Sequence, residues 1–473
     1  MNIKRNFAYS VAYQLLNLVI PILTIPYITR TLGAEGMGTY AYAYAIVYYF
    51  VVFAMLGIDN YGSRAVASAR ADRQRLSVVF TSLLATRLAL SAVAVVAYIV
   101  FLWFYQGDNK LIFVLQIIYL LSSAFDVTWL FSGLEQFKIT VIRNFIIKLS
   151  SIAAIFMFVR GDNALVIYTV IVALASLLTQ ASLWLYLKRF VDFEKVKITD
   201  CTAHLRPLLI LFIPVIAVTI YKTVDRVILA NSTDVSYVGL LDAAARIIGV
   251  PLAIITALGV VMLPRISHLT ATGQNSAAAG YMRRAMDFSM FISFPIALGL
   301  IATAPNFIPV FLGSHFSGSI ELVVVLALSV IFIAWANVLR TQYILPSNKD
   351  GLYIRSLLAG ATVSVVTNFL LIPHFLALGA AIAAVCAEIT VTIYQTVALR
   401  KELSMLTFLK DGLPHGSKAL VMMGAVLLVN LIPIGYIQTL SVQLAIGVMA
   451  YGLLNIRYIV GLLKDGQVKQ KDC

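Results

Sequence analysis

The stretch NFAYSVAYQLLNLVIPILTIPYITRTLGAEGMGTYAYAYAI, residues 6–46, decides the fold. Its first part, 7–29, is apolar for long enough to cross ~30 Å of hydrocarbon as a helix. A short, more polar piece from Arg30 to Thr39 interrupts it, and a second apolar run opens at Tyr40. Lys4 and Arg5 precede the first run as they would in a signal peptide. The run is too long for that, and no small-residue cleavage site follows, so it reads as a retained helix. Runs of the same kind recur near 40–58, 79–105, 111–132, 141–159, 163–187, 208–230, 238–262, 286–304, 320–345, 352–372, 376–398, 418–434 and 437–460, making fourteen spans. Lys148 falls inside 141–159, and 418–434 is short and reaches Pro433.

Composition agrees. Of 473 residues 61% are hydrophobic and 12% charged, against roughly 45–50% and ~25% in soluble globular domains. A soluble chain of this length could not cover its surface with so few charges, so this is an all-α polytopic membrane protein. The net charge of +14 would suggest nucleic acid in a soluble protein. In a membrane protein, orientation is the simpler source. Placing the termini in the cytoplasm puts 25 of the 35 Lys and Arg residues in cytoplasmic segments, 3 on the opposite side and 7 within spans. That asymmetry fixes both ends inside. Cys201, Cys386 and Cys473 have no metal-ligand spacing, and there is no phosphate-cradling Gly-rich Lys motif. Neither a metal, a cofactor nor an ATPase is indicated.

The connections are too short for soluble domains. Residues 188–207, KRFVDFEKVKITDCTAHLRP, form a basic cytoplasmic linker with six spans before it and eight after. This predicts an N-terminal six-helix bundle over 1–187, a second over 208–398, and a loop, final helix pair and tail over 399–473. A faint internal parallel supports pseudo-symmetry. Pro21 and Pro26 interrupt the first span and Pro214 the first span after the linker, making all three hinge candidates. These spans end near Arg30 and Arg226, and the next ones open on Gly38 and Tyr40, or Tyr237 and Gly239.

Ionised groups in a bilayer are costly and normally face the protein interior or water. By helix rise, Arg87 lies about 12 Å, Asp126 about 9 Å and Lys148 about 10 Å from the inner surface. A network of the three is expected, the plain alternative being that Arg87 and Lys148 snorkel to headgroups. In the second half, spacings of three and four put Lys222 with Asp225 and Arg226, and Asp242 with Arg246, on shared faces. Mutual neutralisation would account for most of this set, but three cations against two anions invite an anionic ligand. Arg30, the counterpart of Arg226, joins the candidates. Glu388 stands near the middle of its span as a coupling candidate. Tyr44 and Tyr48 share a face, positioned for core packing or for stacking on sugar rings.

The opening segment, with Asn17, Pro21, Pro26, Arg30, Leu32, Gly33, Gly38 and Tyr40, resembles the bacterial O-antigen and capsule/exopolysaccharide flippase family. That family lies within the multidrug/oligosaccharidyl-lipid/polysaccharide exporter superfamily. FAMLGIDNYGSRAVASAR (53–70), FDVTWLFSGLEQFK (125–138), DAAARI (242–247), VMLPRISHL (261–269), PNFIPVFLGSHF (305–316) and NFLLIPHFLALGAAIAAVCAE (368–388) continue the likeness through about residue 400. The resemblance implies a protein of the bacterial cytoplasmic membrane that makes and breaks no bond. It would move an undecaprenyl-diphosphate-linked oligosaccharide repeat unit to the outer leaflet by alternating access around a cationic cavity. Ion-gradient coupling is implied, as are the polymerase and chain-length proteins of the pathway as partners. A drug antiporter of the same superfamily would want acidic groups, whereas seven basic residues face four acidic ones within the spans. The charge pattern also admits a peptidoglycan-precursor flippase, but the opening motifs favour the polysaccharide branch. A membrane-embedded polymerase would ordinarily carry large outer loops, and this chain has none.

Overall fold

A computed structural model of the chain describes residues 3–432 and 435–461. Side chains of residues 3–19, 258, 260, 261, 264, 265 and 275 lie outside that description, as do Pro433 and the tail that ends in Cys473. The first helices are α1 (Ile3–Met55), α2 (Ile58–Ala69), α3 (Arg73–Phe104), α4 (Lys110–Ala124), α5 (Thr128–Gly133) and α6 (Phe137–Phe158). They are followed by α7 (Ala164–Ala181), α8 (Ile198–Thr202), α9 (Leu205–Ser232) and α10 (Val235–Ala271). Then come α11 (Asn275–Phe311), α12 (Ser319–Ala327), α13 (Ser329–Leu339), α14 (Asp350–Leu399), α15 (Met405–Leu428) and α16 (Tyr436–Leu454).

Among the described residues, 12 continuous helical runs are long and apolar enough to cross a membrane. Two of these hold two spans each, which restores the fourteen expected from the sequence. In α1 the break is at Gly33, at φ 67° and ψ −178°, a conformation glycine adopts without steric cost. In α14 it is at Leu376, at φ 52° and ψ −131°. The chain doubles back there: Gln395 Nε2 donates to Ser356 Oγ at 3.0 Å, and Gly360 lies against Val391. Backbone stays helical through Pro21, Pro26 and Pro214, so the turn in α1 sits at Gly33 and not at the prolines offered as hinges.

The chain forms two compact units, up to Asp242 and from Ala243. This division differs from one at the basic linker, because α9 packs on α1 and α2. The linker itself is tied down, with Arg73 bridging Asp192 at 2.9 Å and the Asp192 amide donating to Ser77 Oγ at 3.0 Å.

In the first unit α1 packs against α3, α4, α6 and α7, and α2 against α3 and α5. The α2–α5 crossing is close because Gly62 lies flush on the Trp129 ring and Gly133 on Val66. Phe80, Leu83, Leu120, Trp129 and Phe131 fill the core. Between α9 and α10, Asp234 accepts the Ser236 amide at 2.7 Å. Hydrogen bonds from Ser236 hold its carboxyl below the ordinary range.

The tightest crossing in this unit is glycine on glycine. A Cβ on Gly38 would meet the Val235 carbonyl oxygen at 1.9 Å and the Gly239 amide nitrogen at 2.9 Å. A Cβ on Gly239 would meet the Ala34 oxygen at 1.9 Å and the Gly38 nitrogen at 2.9 Å. The contact is reciprocal, each glycine resting on the carbonyl four residues before the other. Residues 34–38 and 235–239 are therefore equivalent partners, which gives the faint sequence parallel a structural counterpart.

In the second unit α11 is the hub for α12, α13, α15 and α16, and α14 packs on α12 and α13. The C-terminal pair is clasped by polar contacts: His415 Nε2 lies 2.9 Å from Asp287, and its Nδ1 is 3.2 Å from Asn455. Lys418 also donates to Asn455, at 3.0 Å. The short run expected at 418–434 is thus the outer part of a helix that begins at Met405, with Lys418 inside it. Likewise α6 starts at Phe137, ahead of the expected 141, and takes Lys138 into the helix.

Gly38→Ala and Gly239→Ala should each lower the thermal unfolding temperature of the purified protein. The double variant should lose less than the sum, because the first methyl already parts the helices. Gly424→Ala, where a methyl meets nothing within 4 Å, should leave the temperature unchanged or slightly raised. Equal effects at all three glycines would contradict the crossing.

Candidate functional site

Two charged clusters lie inside the first unit. The first is built at a helix break. α4 ends at Ala124, and Asp126 Oδ1 accepts both the Thr128 amide (2.8 Å) and the Thr128 hydroxyl (2.6 Å), starting α5. The Ser123 carbonyl, which accepts the Asp126 amide at 3.3 Å, also accepts Arg87 Nε at 2.7 Å. Arg87 is 0% exposed. Its Nη2 lies 3.4 Å from Asp126 and its Nη1 3.5 Å from Asp59, whose side chain keeps 43% exposure.

The expected trio is therefore corrected in one member. Arg87 meets Asp126, but the third partner is Asp59, and Lys148 on α6 makes no ion pair with either carboxylate and has contacts elsewhere. Snorkelling does not describe Arg87, which is locked in place from three sides. Asp59 escaped the sequence reading because it follows the end of an expected span. The available signal was Gly57, whose φ of 77° turns the chain so that α2 returns Asp59 to the bundle.

The second cluster joins α9 to the start of α10. Arg226 Nε and Nη2 reach the same oxygen of Asp242, at 3.2 and 3.1 Å. Its Nη1 lies 3.3 Å from Asp225 and donates to the Lys222 carbonyl at 2.8 Å. The three ionised side chains are 10–17% exposed. Of the five expected members, Arg226, Asp225 and Asp242 meet directly, and Lys222 contributes its backbone as well as side-chain contacts elsewhere. Arg246 stands one turn further along α10 and belongs to the second unit.

An aromatic ladder runs along the second limb of α1, facing Tyr119 of α4 and Tyr168 of α7. The rings of Tyr40, Tyr44 and Tyr48 stack in sequence, with centroids 6.1 and 5.7 Å apart. Tyr44 and Tyr119 share a hydroxyl contact of 3.0 Å, and Tyr42 bonds Asn231 of α9. Tyr44 and Tyr48 are thus partly committed to one another, with their edges half-exposed. Arg30 is exposed just before the Gly33 turn. Glu388, half-buried in the second limb of α14, has no hydrogen bond or ion pair among the described residues. Among the same residues no group of three His, Cys, Asp or Glu side chains is arranged to hold a metal.

A fourteen-span helical fold in which guanidinium groups are held by carboxylates from neighbouring segments defines a multi-pass membrane protein. The solved structure of the lipid II flippase MurJ in its inward closed conformation is similar over 97% of this chain and 99% of that one, with a TM-score of 0.76 at 15% identity. An inward-facing multidrug resistance MATE family transporter of the MOP superfamily is similar over 82% and 98%, with a TM-score of 0.60 at 15% identity. The profile of the family described as "Polysaccharide biosynthesis protein" matches residues 3–270, more than half the chain. The chain belongs to that family. A protein of Shigella dysenteriae named "Putative O-antigen transporter" is 24% identical over 409 residues, 84% of this chain and 100% of that protein. One of the same name from Escherichia coli K12 is 21% identical, over 83% of this chain and 95% of its own length.

Replacing Arg87 with Met should destabilise the protein by about 3–5 kcal/mol, since it strands Asp126 away from water. Asp59→Asn should cost much less, because Asp59 reaches solvent. Thermal unfolding of the purified variants checks the order, and the reverse order would contradict the placement of Asp59 at the wet edge.

Proposed function

We propose that this protein is a flippase of the bacterial cytoplasmic membrane. It would carry an undecaprenyl-diphosphate-linked oligosaccharide repeat unit from the cytoplasmic to the outer leaflet, by alternating access, for O-antigen, capsule or exopolysaccharide assembly. The names of the two relatives and the family membership support the substrate class. The observation that carries the reading is Arg226, clasped by two aspartates from two helices within a membrane-spanning unit.

A diphosphate brings negative charge that must be screened while it crosses, and the prenyl tail can stay in lipid. Asp225 and Asp242 keep Arg226 ionised and aimed where an isolated guanidinium would be expensive. An arriving diphosphate would exchange with these carboxylates, forming charge-assisted bonds to the same Nη atoms. Lys222, one turn away on α9, would add to the positive field, and Arg246 and Arg30 are candidates for the same role. Tyr44 and Tyr48 present ring edges that suit a sugar face. No covalent step is required, so the energy comes from a gradient or from consumption of the product outside. Glu388, deep and without a cation partner among the described residues, is the proposed coupling group. Glu388→Gln should leave protein levels intact while export stops responding to a collapsed proton gradient.

A peptidoglycan-precursor flippase is the second reading, favoured by the near-complete fold likeness to the lipid II flippase. Depletion of the protein decides between them, by which lipid-linked sugar accumulates on the cytoplasmic leaflet.

Lys222, Arg226 and Arg246 changed singly to Gln should each reduce repeat-unit export at normal protein level. Arg226 should be worst, by roughly ten- to a hundredfold, the equivalent of the ~1.5–3 kcal/mol of one charged hydrogen bond. Arg226→Lys should recover little, since an ammonium cannot span both aspartates. Full export in all three Gln variants would remove the role.

A further inference from the structure

A second basic site lies apart from these clusters, on the lipid-facing side of α6. A cavity of about 630 Å³ opens between the inner end of α6 and the 3₁₀ segment Ser182–Arg189 that follows α7. Such a volume is within the ~300–1,000 Å³ of small-molecule sites. Lys138, Arg143 and Arg189 line it, and among the described lining residues there is no carboxylate. Of the acids next to these residues in sequence, Glu135 is engaged by Arg70 and Asp192 by Arg73, each at 2.9 Å. Arg143 is fixed, 8% exposed and donating to Asn144 Oδ1 at 2.6 Å, whereas Lys138 and Arg189 are exposed.

The remaining walls are apolar. Ile142 and Ile146 are 41% and 57% exposed, and Phe190 lies beneath the Arg189 guanidinium at 6.0 Å. Only 11% of the apolar window of α6 is buried, so most of its side chains lie at the surface, where apolar ones suit hydrocarbon. The site thus sets three cations at the headgroup level of the side where basic segments gather, directly above a strip of exposed isoleucine.

We propose that this groove binds an anionic phospholipid of the cytoplasmic leaflet. Its phosphate would sit among Lys138, Arg143 and Arg189, and its acyl chains would run along Ile142 and Ile146. A soluble phosphate would use the cations but leave the apolar wall idle. A zwitterionic lipid would use the wall but oppose its own ammonium to three positive groups. Among lipid phosphates the bulk species wins by mass action, because occupancy follows concentration when headgroup chemistry is alike. The inference is independent of the transported substrate.

The test is thermal unfolding and native mass spectrometry of the full protein in detergent. Phosphatidylglycerol, phosphatidylethanolamine, inorganic phosphate and undecaprenyl phosphate are each titrated in. The double variant Lys138→Gln/Arg189→Gln changes only exposed side chains and should fold; Arg143→Gln is a second, buried probe. Phosphatidylglycerol alone should raise the unfolding temperature of the parent protein and be retained in its mass spectrum. The double variant should bind it roughly tenfold or more weakly, with its lipid-free unfolding temperature unchanged. Equal stabilisation of parent and double variant would overturn the proposal. So would phosphatidylethanolamine or inorganic phosphate matching phosphatidylglycerol, or undecaprenyl phosphate displacing it at trace ratios.

Discussion

The structure depends on one constraint: a charge carried into hydrocarbon must bring its own counter-charge and hydrogen bonds. Arg87 satisfies it with the Ser123 carbonyl and two aspartates, and Arg226 with two aspartates and a carbonyl from its own helix. In each case the carboxylates come from more than one helix, so neutralising the charge also fixes how those helices pack. The break between α4 and α5 is part of the same device. It turns the chain so that Asp126 faces Arg87 while the Ser123 carbonyl accepts both the Asp126 amide and Arg87 Nε. Similar logic holds the C-terminal pair to α11, through His415, Asp287 and Asn455.

The backbone obeys a related rule. Polar main-chain groups cannot be left bare in lipid, so the chain changes direction only where residues permit a turn with little loss of pairing. Gly33 does so through a positive φ, and Gly57 and Gly313 repeat the device at other span ends. Where two spans must touch along their backbones, side chains are removed, as at Gly38 and Gly239. That crossing pairs equivalent segments of the two sequence halves within one compact unit, which is why the unit boundary falls after α9 and not at the basic linker.

Much of this was legible beforehand, for identifiable reasons. Span number follows from hydropathy because the bilayer imposes a fixed length, and even the folded α14 separated correctly since Pro373 and His374 interrupt its run. Helix starts are less legible where basic residues sit inside the first turns of a helix, as Lys138 and Lys410 do, because a charge there resembles loop. Arg87 and Asp126 were paired by depth, a one-dimensional argument that works for residues on adjacent spans. Depth said nothing of azimuth, so Lys148 was included although α6 turns it elsewhere. Asp59 was omitted because a positive-φ glycine two residues earlier redirects the chain, and sequence spacing does not show that.

The central claim is that embedded cations, presented by carboxylates, receive the diphosphate of a lipid-linked sugar. The most direct measurement is equilibrium binding of undecaprenyl diphosphate and of undecaprenol to the purified protein, with and without Arg226→Gln. The account predicts that the diphosphate binds far more tightly than the uncharged alcohol and that Arg226→Gln removes most of the difference. Equal affinity for the two lipids, or a preference untouched by Arg226→Gln, would contradict it.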